Sequence, residues 1–434
     1  MISVGKKAVK FGGTSLCDAA QMKKAAEIVR SDASREIIVV SAPGKRTPKD
    51  EKITDLLLRM EKTKTLEERR TVFSLVRERF DSLIRSLMLP LDFSEEYEDI
   101  FWNASGDLLI SRGEYFCARI FSALLNYRFT DAADTVFFGK DGMIDTIKTR
   151  EKLGKEILSY RRVVIPGFYG RDADGKIKIF PRGGSDITGA IAADAADAAI
   201  YENFTDVSGF LLADPKIVSA PMTVPALSYG ELRRLSSMGA TVLHADSILP
   251  LYEKKIPVVI CNTNDPSGSR TYITEKKNTR AIAGIVGQKG YTLFSVSAPN
   301  IGEDISESQK LFSLFECYTK SVYATPRTVD ACGFLVRSAD ISEQKEEIVQ
   351  ALRSAFRATS VTIKESMALL SIVGEEQPLQ CAKLLFETME EMEAYPLLLD
   401  GGADSLGITV GFEEDHLAAL IRRLYEKLRI SPSF

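Results

Sequence analysis

With 434 residues, 45% hydrophobic and 27% charged, the chain has an ordinary globular composition and is long enough for two or three separate cores. A formal charge of −4 argues against a protein built mainly to bind nucleic acid. No apolar run approaches the roughly 20 residues of a bilayer-spanning helix. Two histidines, His244 and His416, leave metal or acid–base chemistry mainly to Asp, Glu and Lys. Six scattered cysteines without a CxxC pair read as reduced cytoplasmic thiols and not as a zinc site. The first residues read as a strand, where a signal peptide would carry an apolar core.

Val4 to Phe11 reads as a strand that runs into Gly12-Gly13-Thr14-Ser15. Asp18 and Gln21 then suggest a capping box before a helix carrying Met22, Ala25, Ala26 and Val29. Glu36–Ser41 is a continuous apolar run typical of a buried parallel strand, so the chain opens as an α/β unit. After a polar loop at 43–52 a helix begins near Thr54. From Leu66 to about Phe129 the pattern is almost wholly helical, interrupted by a tight turn expected at Arg112-Gly113-Glu114. Strands are expected at Thr135–Phe138, Arg162–Phe168, Lys176–Phe180, Tyr201–Thr205 and Ile256–Cys261. Helices are expected at the alanine-rich ITGAIAADAADAAI and near 228–238 and 241–254. Beyond Ala281 the style changes to two copies of a small α+β unit, a weak internal repeat. The domain boundary is placed near residue 280.

Glycine pairs stand at two strand–helix junctions, Gly12-Gly13 and Gly183-Gly184. Glycine lets backbone N–H groups approach an anion, and the following helix adds its dipole. Lys10 supplies a full positive charge beside the first pair. Arg182 and Asp186 flank the second, where a surface salt bridge and an ordinary N-cap are the plainer alternatives. Neither GxxxxGK[ST] nor GxGxxG occurs, which removes the main support for a P-loop NTPase or a Rossmann dehydrogenase. Glu114 could hold a ligand ammonium group, or be a solvated helix residue. His244 reads as a core or edge histidine.

These motifs, KFGGTS at 10–15, SAPG at 41–44, ITDLL at 53–57, RGE at 112–114, PGFYG at 166–170, RGGSD at 182–186, TDVSG at 205–209, ADPK at 213–216 and GATVLH at 239–244, resemble those of the aspartate kinases of the amino acid kinase family, in the family's order. The resemblance implies a three-layer α/β/α kinase domain with a helical excursion at 1–280. At 281–434 it implies two ferredoxin-like βαββαβ ACT modules, about 290–362 and 363–434, the second completed by a strand near 281–288. It further implies Mg²⁺–ATP-dependent phosphorylation of the β-carboxylate of L-aspartate, with the magnesium held through the nucleotide phosphates. Lys10 would contact the transferring phosphoryl group and Asp186 would orient Lys10. Gly12, Gly13, Thr14, Ser15, Gly183 and Gly184 would cradle phosphate. Thr54, Glu114, Phe168, Arg182 and Ser185 would form the aspartate pocket, with Thr47 the competitor for the role of Thr54. Thr205, Asp206, Asp214, Pro215 and Lys216 would line the nucleotide site.

Several positions depart from the family pattern: Leu211 stands where many members carry tyrosine, Thr241 replaces a lysine, Ala245 a proline and Lys216 an arginine. In the regulatory part Tyr323 falls near an expected acid, so lysine, threonine or no effector all remain open. Exposed sheet edges in paired ACT modules favour a homodimer or larger assembly. The competing readings are another amino acid kinase and a catalytically silent amino-acid sensor.

Overall fold

The computed structural model describes residues 5–181, 183–239, 243, 248–275, 282–303, 305–319, 321–324, 328–374, 378–401 and 406–430. The chain forms two compact units. The first comprises Met1–Phe210, Thr223–Tyr229 and Thr241–Lys277; the second comprises Leu211–Met222, Gly230–Ala240 and Asn278–Phe434. Two segments upstream of residue 280 therefore cluster with the later part of the chain.

In chain order the elements up to residue 275 are β1 (Lys7–Phe11), α1 (Ala19–Arg30), β2 (Arg35–Val40), α2 (Ile53–Glu61), α3 (Leu66–Leu87), α4 (Ser94–Asn103), α5 (Gly106–Leu125), β3 (Arg128–Phe129) and α6 (Ala132–Thr135). There follow α7 (Thr146–Tyr160), β4 (Val163–Pro166), β5 (Tyr169–Arg171), β6 (Ile177–Ile179), α8 (Gly184–Ala195), β7 (Ile200–Thr205), β8 (Ala226–Ser228), α9 (Tyr229–Ser237), α10 (Leu249–Glu253), β9 (Val258–Asn262) and β10 (Thr271–Thr274). The main sheet has the order β3-β4-β2-β1-β7-β9-β10-β8, and β1 lies inside it. Its neighbours β2 and β7 are both parallel to it, as is β9 to β7; β10 runs antiparallel to β9. The chain leaves β1 first toward β2 and returns on the other side as β7. This places the end of β1 at a reversal of strand order, where open α/β sheets bind ligands.

Side chains alternate across β1. Val9 and Phe11 are fully buried against α1, α5 and the excursion α2–α4, where Phe11 stacks on Phe204 and meets Phe121 edge-on. Ala8 and Lys10 point to the opposite face, covered by α8. This is a three-layer arrangement, and the alternation decides which face Lys10 serves. At the start of the sheet Glu202 is buried and takes Arg35 Nε at 2.6 Å and Lys7 Nζ at 3.4 Å, while Lys7 also reaches Asp32 at 2.8 Å.

The second unit contains one antiparallel six-stranded sheet. Its elements are β11 (Gly284–Ser297), α11 (Ile305–Glu316), β12 (Val322–Ala324), β13 (Ala331–Arg337), α12 (Lys345–Phe356), β14 (Ser360–Val373), α13 (Pro378–Glu391), β15 (Leu398–Asp400), β16 (Gly407–Glu413) and α14 (Leu417–Ile430), with strand order β12-β13-β11-β14-β16-β15. The two 14-residue strands serve both repeats. Tyr291–Ser297 pairs with β13 and with the first half of β14, while Gly284–Lys289 pairs with Ala368–Val373. The register breaks near Gly290 and Ser366, both at positive φ, where each strand passes from one repeat to the next. Ala281 of the expected 281–288 strand lies outside the described residues.

Three local expectations are corrected. Arg112-Gly113-Glu114 is no turn; it is the middle of α5. Ala132–Thr135 is a helical turn, because the Asp131 carboxylate accepts the Ala133 N–H at 2.9 Å, leaving Phe137 and Phe138 only isolated bridges. Ile177–Ile179 is a strand, as expected at Lys176–Phe180, and pairs with Tyr169–Arg171 in a separate hairpin. The Asp18 cap of the Gln21 N–H is present, but the Gln21 side chain donates to Asn264. The reciprocal capping box instead occurs at Thr65 and Glu68 of α3.

Replacing Glu202 by Gln leaves Arg35 and Lys7 facing a neutral group in a buried position. Urea unfolding of Glu202→Gln is expected to show a loss of about 3 kcal/mol. An unchanged midpoint would show that the ion cluster does not hold the central strands.

Candidate active site

The site lies where β1, β2, β4 and β7 end. The ladder continues one residue past the strands: Gly12 N–H donates to Phe204 O at 3.0 Å, Ser41 N–H to Phe11 O at 3.1 Å and Gly167 N–H to Val40 O at 2.9 Å. Four chain segments therefore leave the sheet side by side.

Lys10, the residue before the last on β1, is buried, and its Nζ lies 2.7 Å from Asp186 Oδ1 in the first turn of α8. Asn203, opposite Lys10 in the β1–β7 register, donates through Nδ2 to the same Asp186 oxygen at 3.0 Å. The Asn203 Oδ1 is buried without a hydrogen-bond partner. Burying a lysine beside a carboxylate is costly unless the two are paired, and Asn203 fixes the orientation of that pair.

Gly12 and Gly13 follow Lys10. A Cβ on Gly12 would sit 3.8 Å from Lys10 Nζ, so that turn lies against the ammonium. Gly13 accepts the Gly44 N–H at 2.8 Å, and a Cβ on Gly13 would approach Ala42 O to 2.8 Å. Backbones pass this closely only with glycine on both sides, which explains the glycine of SAPG as well as that of KFGGTS. Thr14 is exposed, whereas Ser15 is buried with its hydroxyl 2.6 Å from Thr263 Oγ1. Ser15 thus spends its hydroxyl on the residue that follows β9.

On the second junction Gly183 caps α8 at φ +59, a conformation that glycine accepts without strain. A Cβ on Gly184 would meet Phe168 atoms at 2.7 Å, and one on Gly167 would meet Ser185 at the same distance. Phe168 itself holds φ +79, strained for a bulky residue. Its N–H donates to Thr188 Oγ1 and its carbonyl accepts the Phe180 N–H, which fixes its backbone beside Gly184. Phe168, Gly184 and Ser185 are therefore one contact cluster beside Asp186. Arg182 lies outside the described residues, as do Thr241 and His244.

Glu114 is almost fully buried in α5. It accepts a hydrogen bond from the Ala42 backbone N–H, its Oε2 has no partner, and burial pushes its carboxyl up to about 8, with the Ala42 bond and Arg112 opposing. A buried carboxyl oxygen without a donor is costly. A ligand ammonium would satisfy it. Gly113 is small because Ala42 and Ile53 would lie 2.9 and 3.1 Å from its Cβ, which brings α5 against the start of α2 and half-buried Thr54. Thr47 lies exposed in the loop before α2.

Thr205 and exposed Asp206 stand at the end of β7, joined by a 3.1 Å hydrogen bond. Asp214, Pro215 and Lys216 belong to the second unit, where Asp214 Oδ1 accepts the Lys216 N–H. Their segment, with Leu211, is tied there by Ile285 N–H to Leu212 O, Tyr425 Oη to the Met222 N–H and Arg422 Nε to Ile217 O. Among the described residues no group of three or more His, Cys, Asp or Glu is arranged to hold a metal, and no helix is long and apolar enough to cross a membrane.

Sequence reasoning missed Asn203, the Ala42 N–H and Gly44 as site components. The signal for Asn203 was present, since Glu202-Asn203 is a polar pair inside a strand buried on both faces.

A family model described as the amino acid kinase family matches residues 5–262. The chain is 29% identical to aspartokinase 3 of Bacillus subtilis, over 97% of this chain and 98% of that protein. Its structure resembles aspartate kinase from Clostridium acetobutylicum with a TM-score of 0.87 and 35% identity, over 97% and 99% of the two chains. It also resembles Escherichia coli aspartokinase III at 23% identity, over 98% of this chain and 99–100% of that one. The TM-score is 0.80 for the complex with aspartate and ADP and 0.77 for the complex with lysine and aspartate.

The raised carboxyl of Glu114 has a stability consequence. Between about 4.5 and about 8 the folded chain keeps a proton that the unfolded chain has released, so rising pH weakens the free protein through this group. Glu114→Gln removes that dependence. Its melting temperature is expected to gain on wild type as pH rises from 5 to 8, and a constant difference across that range would refute the assignment.

Proposed function

The chain belongs to the aspartate kinases of the amino acid kinase family, and we propose that the cluster around Lys10 and Asp186 is where its phosphoryl transfer takes place. The enzyme transfers the γ-phosphoryl group of ATP to the β-carboxylate of L-aspartate, giving 4-phospho-L-aspartate and ADP. A carboxylate oxygen forms the new P–O bond as the bond to the ADP oxygen breaks. No proton need leave the nucleophile, so no general base is required. Two anions must instead be brought together, and catalysis rests on charge neutralisation and alignment.

The observation that carries the reading is the buried Lys10–Asp186 pair between two glycine turns, beside a Glu114 oxygen that lacks a donor. Lys10 takes up the charge that develops on the transferring phosphoryl oxygens. Asp186, held by Asn203, keeps the Lys10 ammonium directed at that position. Gly13, Thr14, Gly183 and Gly184 offer backbone N–H groups to the phosphates; Gly12, whose own N–H is bonded to Phe204 O, lets the turn lie against the Lys10 ammonium, and Ser15 supports that turn through Thr263. Glu114 receives the α-ammonium of aspartate, Arg182 pairs with a substrate carboxylate, and Phe168, Ser185 and Thr54 close the pocket. Thr205, Asp206, Asp214, Pro215 and Lys216 serve the nucleotide. Magnesium, a hard ion that prefers oxygen ligands, would be held through the nucleotide phosphates beside the Lys10–Asp186 pair. When bound with the nucleotide phosphates, that ion supplies further neutralisation of their charge.

The second unit is the regulatory part, two ACT modules joined through β11 and β14. The complex of the E. coli enzyme with lysine supports L-lysine as the first effector to test. The open edges of its sheet, β12 and β15, support assembly as a homodimer. The six free cysteines support a cytoplasmic location.

A coupled assay of ADP release tests the reading. Release is expected with L-aspartate and not with L-glutamate or N-acetylglutamate; release with none of them would overturn it. Lys10→Ala is expected to lower kcat by about 10³-fold, measured in the same assay on protein whose fold is verified by circular dichroism. Retained turnover would remove Lys10 from the mechanism.

A further inference from the structure

The α3 helix carries an apolar face of Val72, Phe73, Val76, Phe80 and Leu83, all buried. Arg79 stands on that same face and is only 4% exposed. Its guanidinium is spent on two loops. Nη2 donates to Gly44 O at 2.7 Å and to Cys17 O at 3.4 Å; Nη1 donates to Glu51 O and to Asp50 Oδ2, both at 3.0 Å. Asp50 is held in turn by Arg46, through Nε at 2.8 Å and the backbone N–H at 3.0 Å.

The two loops are those that leave β1 and β2. Cys17 closes the short turn that begins at the Gly12-Gly13 pair. Gly44 is the residue whose N–H holds Gly13 O, two positions beyond the Ala42 N–H that holds Glu114. Pro43 O accepts the Ile53 N–H at the start of α2, next to Thr54. An aliphatic side chain at 79 would continue the apolar face without any cost of burying charge. A planar fork adds several directional bonds to loop carbonyls, which a lysine cannot reproduce.

We propose that Arg79 sets the register between the two loops, aligning the Gly12-Gly13 turn with Ala42 and Thr54, and so governs turnover without touching either substrate. This rests on the aspartate kinase reading. It also assigns a role to the helical excursion, which brings a buried guanidinium to the back of the site.

The test compares Arg79→Lys and Arg79→Met with Leu83→Ala, a core truncation one turn along the same helix. A loop displaced by about 1 Å is expected to cost roughly 10²-fold in kcat/KM for aspartate per folded molecule. Both Arg79 variants should show that loss, expressed in kcat as well as KM, and Leu83→Ala should stay within about threefold of wild type. Amide exchange at Gly44 should quicken in Arg79→Lys and not in Leu83→Ala. Should Arg79→Met fail to fold, Arg79→Lys decides by both readouts. Wild-type constants and unchanged Gly44 exchange in Arg79→Lys would overturn the proposal, as would losses no larger than those of Leu83→Ala. A wild-type protein that released no ADP would defeat the aspartate kinase reading, while Gly44 exchange would still decide the register.

Discussion

The buried pair of Lys10 and Asp186 is the constraint on which the first unit turns. A lysine on the central strand of a sheet is normally excluded by the cost of removing its charge from water. It is tolerated because the residue falls on the α8 face and near the strand end, where Asp186 and Asn203 meet it. The strand order then matters. With β2 and β7 on either side of β1, the two glycine turns flank the ammonium instead of lying at opposite edges of the sheet.

Around that charge, function is expressed through close backbone approach. Gly13 against Gly44, Gly184 against Phe168 and Gly167 against Ser185 are contacts that a single Cβ would block. Each brings a loop from one strand onto a loop or helix from another. Glu114 and Phe168 show what this packing sustains, a buried carboxyl with an unpartnered oxygen and an aromatic residue at positive φ. Both are unfavourable alone and persist because the surrounding contacts over-determine them. In the second unit a similar economy operates at the level of the sheet. Since β11 and β14 each run through both repeats, neither repeat has a complete set of strands without the other.

Much of the fold was legible in the order of residues. Continuous apolar runs marked β2 and β4, and helical spacing marked α1, α3 and α5. Alternation of short strands and amphipathic helices marked the change of style beyond residue 280. The errors have local causes. A helical turn capped by Asp131 takes up Thr135 and leaves the apolar Phe137 and Phe138 in isolated bridges, and Arg112-Gly113-Glu114 looked like a turn because its glycine answers neighbouring segments at Ala42 and Ile53 and not a bend. Periodicity also could not show that Leu211–Met222 packs with the second unit, since that depends on Tyr425 and Arg422 two hundred residues away.

By itself, then, the sequence determined the chemistry at the two strand–helix junctions: lysine and two glycines at the first, two glycines and an aspartate at the second. Those features are local, because a strand end, a tight turn and a helix start are written in adjacent residues. Only the tertiary structure decided that Lys10 and Asp186 meet at 2.7 Å, that Glu114 is buried beside Ala42, and that Arg79 joins two loops from behind. These depend on strand order and on helix packing across long sequence separations, where identical residue types could as well have been solvated.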